Sequence, residues 1–310
     1  MTFADACATI ARQRAEPLPG TAPHATGWVV VEVDGPWAPK TEDNLPAAFI
    51  DRWQQIAAEV PLRLQLLRTP GSHPRSTGRR RVLLAHSGPQ PWMRLLDDVD
   101  DAALAGLDMA ATAAPRPPAA GQTVEDSWLL VCTHGTRDRC CAAFGRPVVD
   151  ALDGRVPQVA ETSHVGGHRF AGNVLVLPDG LLYGGVDAPS AIAIVQAHAG
   201  GHLVPGRLRG RTSLPPAAQA AEIFVRQRWA LDDARLPVDV RLTGEDTATV
   251  TVGGRRALVR LSQRSRPPAP LSCGEAEQVA TEFVADEIRP LDTDEAGAND
   301  RPIDGVPPAS

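Results

Sequence analysis

Apolar residues in this chain fall into short dense runs, and these alternate with stretches of helical spacing. The segments 27–35, 61–68 and 79–87 predict strands, the first because its run Trp28-Val-Val-Val is dense in β-branched residues. Between the first two, residues 45–60 place Phe49, Trp53 and Ile56 at helical intervals. A short helix is expected over 3–14, and a strand followed by a helix over 91–107. Residues 112–125 are rich in Pro and Ala without periodicity and read as a linker.

After the linker the order repeats. A strand is expected at 127–135, a helix at 141–154, a strand and loop at 157–167, a hairpin turning on Asp179 and Gly180, and a helix at 189–201. Each half therefore reads β-α-β-β-α. Trp28-Val-Val-Val matches Trp128-Leu-Leu-Val, and Arg81-Val-Leu-Leu matches Asn173-Val-Leu-Val. That order is the core of a thioredoxin-like fold. The expected class is α/β: two thioredoxin-like units in tandem, followed by a small α+β C-terminal module. The bounds are 1–115 for a cofactor-free unit, 125–205 for the unit that carries the chemistry and 206–290 for the module. In that module a Pro-started helix at 215–231 precedes strands at 238–244 and 247–263, which turn at Gly253-Gly254, and a final helix is expected over 271–288. The acidic tail, 291–310, reads as disordered.

Composition narrows the class. With 310 residues and 43% hydrophobic content the chain can build a sizeable core. No apolar run reaches the roughly 18 residues a membrane helix needs, and the first residues lack a basic leader joined to an apolar stretch. A cytoplasmic protein with no membrane contact is expected. The net charge of −6 argues against nucleic acid as a partner, because binding it requires a basic face. Five cysteines, Cys7, Cys132, Cys140, Cys141 and Cys273, are an odd number, and three lie within ten residues. Metal or redox chemistry fits this better than a disulfide framework.

Two motifs concentrate the chemistry: residues 132–141, with Cys132, His134, Arg137, Asp138, Cys140 and Cys141, and residues 163–170, with His164, Gly166, Gly167, His168 and Arg169. The first leaves the carboxyl end of a strand and enters a helix, where open α/β sheets form ligand sites. The glycine pair makes a helix unlikely across His164 and His168 and lets both imidazoles turn toward one point. Two sulfurs and two imidazoles make four ligands, enough for a tetrahedral zinc or for a two-iron cluster, and spacing alone does not choose between them.

The run 132–147 followed by 161–185 resembles the sucrase/ferredoxin-like family, a group of thioredoxin-like 2Fe–2S proteins. The resemblance is strong over 126–200, looser over 25–125 and silent about 206–310. It implies a 2Fe–2S cluster held by Cys132, Cys141, His164 and His168. Cys140, adjacent to Cys141, is the alternative second thiolate. It also implies an electron-transfer or redox-sensing function with a redox partner protein or reductase. The alternatives are a structural zinc site on the same four ligands and a thioredoxin-like thiol oxidoreductase. Histidine ligation would make the oxidised cluster neutral and raise its potential over that of a four-thiolate ferredoxin. Nothing marks out the carboxylate pair that sugar hydrolysis needs. Arg137 and Arg169 are candidates for offsetting charge, and His134 and Asp138 for orienting a ligand. Cys7 and Cys273 read as structural cysteines, and His198 and His202 as helix-end residues.

Overall fold

The computed structural model describes residues 5–70, 78–156 and 158–291. It is a mixed α/β structure with six α-helices among the described residues and one large mixed sheet. The sheet's strands are β1 (Gly27–Glu32), β2 (Leu62–Arg68), β3 (Arg80–His86), β4 (Trp92–Val99), β5 (Gln122–Thr123), β6 (Trp128–Cys132), β7 (Val159–Thr162), β8 (Val174–Leu177), β9 (Leu181–Tyr183) and β10 (Leu208–Arg211). Their spatial order is β10-β9-β8-β6-β7-β2-β1-β3-β4-β5.

That order contains one arrangement twice. In the first half β1 lies between parallel β2 and antiparallel β3, with β4 beyond. In the second, β6 lies between parallel β7 and antiparallel β8, with β9 beyond. The halves meet where β2 pairs antiparallel with β7, Arg68 opposite Glu161. The sheet is therefore continuous, and β1 and β6, buried along their whole length, run through its interior. Strands covered on both faces need apolar runs instead of alternation, which explains the four consecutive apolar residues in each.

Six helices accompany the strands: α1 (Cys7–Gln13), α2 (Ala47–Ala57), α3 (Asp101–Ala105), α4 (Arg139–Leu152), α5 (Ala188–Ala199) and α6 (Pro216–Trp229). α2 packs Phe49 and Trp53, one turn apart, into the core with Val29 and Val31. α4 starts at Asp138, whose side chain accepts the Cys140 backbone N–H, and buries Cys141, Gly145, Val148 and Leu152. Gly145 is required there, since a Cβ would collide with the carbonyl oxygen of Cys132. The close approach of α4 to β6 depends on it.

A second, antiparallel sheet follows, in the order β11 (Val238–Leu242), β12 (Thr247–Val252), β13 (Arg255–Ser265) and β16 (Thr281–Leu291), with a short pair β14 (Ala269–Pro270) and β15 (Glu277–Gln278) between the last two. α6 packs on this sheet and on β10, so it belongs to both layers. Leu208–Arg211, inside the segment assigned from sequence to the C-terminal module, pairs with β9 in the large sheet.

The helix expected over 271–288 is corrected. Residues 281–291 form a strand that pairs with β13 over ten positions, with a bulge at Arg260/Leu261. Val279, Phe283, Val284 and Ile288 imitate a helical stripe, but the free edge of β13 supplies backbone partners that an isolated stripe does not have. The linker at 112–125 carries β5, which pairs with β4. The expected helix over 3–14 begins at Cys7 among the described residues, and the tail from 292 onward lies outside them.

Candidate metal centre

Cys132 ends β6 and Cys141 is the third residue of α4, so the strand, the loop 133–138 and the helix bring two thiols to the same end of the sheet. Both cysteines are fully buried. His164 and His168 come from the loop after β7, the neighbouring parallel strand. Cys141 Sγ lies 3.7 Å from His164 Nδ1 and 3.9 Å from His168 Nδ1. The two imidazoles stack, with ring centroids 3.9 Å apart and planes within 9°. Ligand atoms of Cys132, Cys141 and His164 all fall within 4.8 Å of one another. Three of the four residues singled out from sequence thus form one group, and His168 lies outside it, approaching Cys141 and stacking on His164.

The loop geometry depends on its glycines. Gly166 and Gly167 take φ of +92° and +71°, a region L side chains rarely enter. A Cβ on Gly167 would also sit 2.5 Å from Arg209 Nη2. Arg209 is a residue the sequence reading missed. Its side chain is fully buried and donates to the Gly166 carbonyl and to Asn173 Oδ1, both at 2.8 Å, and to the Thr21 carbonyl. Asn173 in turn donates to the Gly167 carbonyl at 3.1 Å. A guanidinium with this many acceptors clamps the loop. Its strand, Leu208-Arg209-Gly210-Arg211, carries a second arginine, so the sequence does not mark Arg209 out from its neighbours.

His134 also positions the site. Its Nδ1 accepts the His164 backbone N–H at 3.2 Å and its Nε2 faces the Ala38 carbonyl at 2.8 Å, which fixes the proton on Nε2. Arg169 turns away to pair with Glu16 at 2.9 Å. Arg137, exposed, lies close enough to disfavour charge on His168. Cys140, the alternative thiolate, faces away from the imidazoles: its sulfur lies 3.6 Å from Cys7 and 3.2 Å from Cys273. A helix rotates about 100° per residue, so adjacent cysteines serve different neighbourhoods.

Electrostatics favour ligand-ready protonation states. The hydrogen bond from Cys141 holds the Cys132 thiol well below its ordinary value despite complete burial, and the same bond pushes Cys141 up. Burial, then the neighbouring His164, lowers His168 to about 4, so its imidazole is neutral at physiological pH and offers a lone pair. A soft thiolate, a second thiol and two imidazoles, that of His168 neutral, form a donor set suited to a metal.

The sucrase/ferredoxin-like model matches residues 18–210, more than half of the chain. The chain belongs to the sucrase/ferredoxin-like family. The matched stretch covers the ten-stranded sheet except Arg211, the last residue of β10, and leaves the second sheet outside. Among curated relatives, the Candida glabrata protein named altered inheritance of mitochondria protein 32 is 33% identical over 105 residues, 29% of this chain and 34% of that protein. The Saccharomyces cerevisiae (strain ATCC 204508 / S288c) protein of that name is 41% identical over 59 residues, 18% and 19% of the two chains. The Meyerozyma guilliermondii one is 34% identical over 65 residues, 18% and 23%. The chain spans about a third or less of these relatives' length. No solved structure matches significantly.

These findings overturn the functional expectation. The relatives' shared name concerns inheritance of mitochondria and not electron transfer, and the structure supplies a grouping of Cys and His that amounts to a possible metal site. The electron-carrier and redox-sensor reading is withdrawn, with its zinc-structural and thiol-oxidoreductase alternatives. Among the described residues no helix is long and apolar enough to cross a membrane.

Proposed function

We propose that this sucrase/ferredoxin-like chain is a metal-centre protein in which Cys132, Cys141, His164 and His168 hold one inorganic cofactor, a two-iron, two-sulfide cluster. The observation that carries this reading is the approach of Cys141 Sγ to both imidazole Nδ1 atoms, at 3.7 and 3.9 Å, beside a buried Cys132 with a lowered pKa. Soft sulfur and imidazole donors suit such a cluster. The family's ferredoxin-like character favours iron and sulfide over a single ion. Bound there, the cluster supplies a compact pair of sulfide-bridged irons.

The protein's own residues present the donors. Arg209 and the glycine pair hold the histidine loop, His134 fixes the His164 backbone, and burial keeps the His168 ring neutral. We further read each half of the large sheet as a thioredoxin-like unit, which the repeated strand order supports, and 206–290 as an added α+β module. Five free thiols suit a reducing compartment such as the cytoplasm.

The test is iron and acid-labile sulfide analysis, with visible absorption and EPR, on full-length protein purified or reconstituted without oxygen. Two irons and two sulfides per chain are expected, falling below a tenth of that in the His164→Ala/His168→Ala variant. Folded wild-type protein that takes up neither iron nor sulfide sinks the proposal.

A further inference from the structure

A second convergence of soft ligands lies on the other side of α4. Cys7 opens α1, Cys140 is the second residue of α4, and Cys273 sits in the turn between β14 and β15. Successive members are 133 residues apart, yet their sulfurs form a triangle with sides of 3.2 Å (Cys140 to Cys273), 3.6 Å (Cys7 to Cys140) and 3.7 Å (Cys7 to Cys273). Asp138 places a carboxylate oxygen within 4.8 Å of all three. We propose that Cys7, Cys140 and Cys273, with Asp138 as fourth donor, form a second metal site that takes a soft divalent cation of the zinc class.

Geometry favours this over a disulfide. Sulfurs bound to one tetrahedral zinc at about 2.3 Å stand about 3.8 Å apart, close to the observed sides. A disulfide requires about 2.05 Å, and pairing any two cysteines would leave the third unpaired. It would also need a two-electron oxidant.

The chemistry around the triangle agrees. Asp138 Oδ1 accepts the Cys140 N–H at 2.8 Å, and Oδ2 accepts the Cys273 N–H at 2.8 Å and the Ser272 hydroxyl at 3.1 Å. A carboxylate has about four acceptor positions, so one remains for a cation. Arg139 interacts with the Cys273 sulfur and offsets negative charge from three thiolates. Ala6, Ala8, Ala171 and Phe144 surround the sulfurs with apolar surface that keeps water from competing.

Such a site would clasp the N-terminal helix and the C-terminal 271–276 turn onto the start of α4. That start also presents Cys141, one residue from Cys140. Asp138 Oδ2 lies 3.9 Å from His168 Nδ1, so the two sites share a neighbour.

The test uses full-length protein carrying Cys132→Ser, His164→Ala and His168→Ala, which removes the first site, so that failure here and failure of the cluster reading are separate results. With reductant present, cobalt(II) titration is expected to give thiolate-to-cobalt charge-transfer bands at one equivalent per chain, and zinc is expected to displace the cobalt. Adding Cys7→Ser and Cys273→Ser should weaken binding at least a hundredfold. Wild-type protein gives a second readout that needs no variant to fold: zinc should slow alkylation of Cys273 at least tenfold, and EDTA should restore the rate. The proposal is overturned by no cobalt or zinc binding in the folded triple variant, by binding indifferent to Cys7 and Cys273, by alkylation indifferent to zinc, or by a Cys140–Cys273 disulfide persisting under reductant.

Discussion

In the first half of the large sheet Trp28 stands opposite Ala85 and Val31 opposite Val82; in the second Trp128 stands opposite Leu177 and Val131 opposite Val174. Glu32 pairs with Leu67, and Cys132 with Thr162. These registers make Glu32 the counterpart of Cys132, Thr69 of His164 and Arg81 of Asn173. The first half fills the three positions with an ion-pair lock: Arg81 Nη2 reaches Glu32 Oε1 at 2.6 Å and Thr69 Oγ1 at 2.9 Å. The second half places a thiol, an imidazole and an amide there, and Asn173 is engaged by Arg209. One backbone frame serves cohesion on one side and a grouping of Cys and His, a possible metal site, on the other. The difference lies in whether a cation of the protein's own satisfies the strand-end residue.

The largest expected effect separates these roles. Arg81→Leu breaks the ion pair that Arg81 makes with buried Glu32 and should cost about 3 kcal/mol in urea unfolding, in the range for breaking a buried pair, with metal uptake retained. Cys132→Ser should cost under about 1.5 kcal/mol in metal-free protein while abolishing uptake at the first site. Equal stability losses in the two variants would erase the contrast.

A middle-sized effect is expected from Gly167→Ala. The left-handed backbone and the contact with Arg209 should together cost about 2 kcal/mol and displace His168, lowering metal content. Gly78→Ala, at a positive φ with open space around it, shares the backbone strain without a collision and should keep full metal content.

The smallest effect concerns the joint between the halves. Burial pushes Glu161 up, but hydrogen bonds from Arg68 and Thr133 outweigh it and hold the carboxylate below its ordinary value. A carboxylate depressed in the folded state stabilises fully above its unfolded pKa, near 4.5, and that contribution is lost as pH falls through the folded value. Wild type should therefore lose about 1 kcal/mol more than Glu161→Gln on acidification below pH ~4.5, since a partly exposed pair contributes little more than that. Matching acid titrations of stability for the two proteins would show that the joint does not depend on this pair.

Much of this was legible because local pattern decided it. The apolar runs of β1 and β6, the stripe of α2 and the turn at Asp179-Gly180 need only their own residues, and the Gly166-Gly167 pair announced a loop instead of a helix. The candidate residues Cys132, Cys141, His164 and His168 could be picked out because each motif is short and sits at a strand end. Residues 271–288 were misread because Val279, Phe283 and Ile288 fit a helix until the edge of β13, sixteen or more residues earlier in the chain, offers its hydrogen bonds.

By itself, the sequence determined the order of the strands along the chain, the two-fold repetition of that order and the dense donor motifs, since these depend on periodicity and spacing within a few residues. Tertiary structure decided that the two halves form one sheet through Arg68 and Glu161, that buried Arg209 holds the histidine loop, and that Cys140 turns from Cys141's partners to meet Cys7 and Cys273. Those contacts join residues tens to hundreds of positions apart, where no local pattern records which groups will meet.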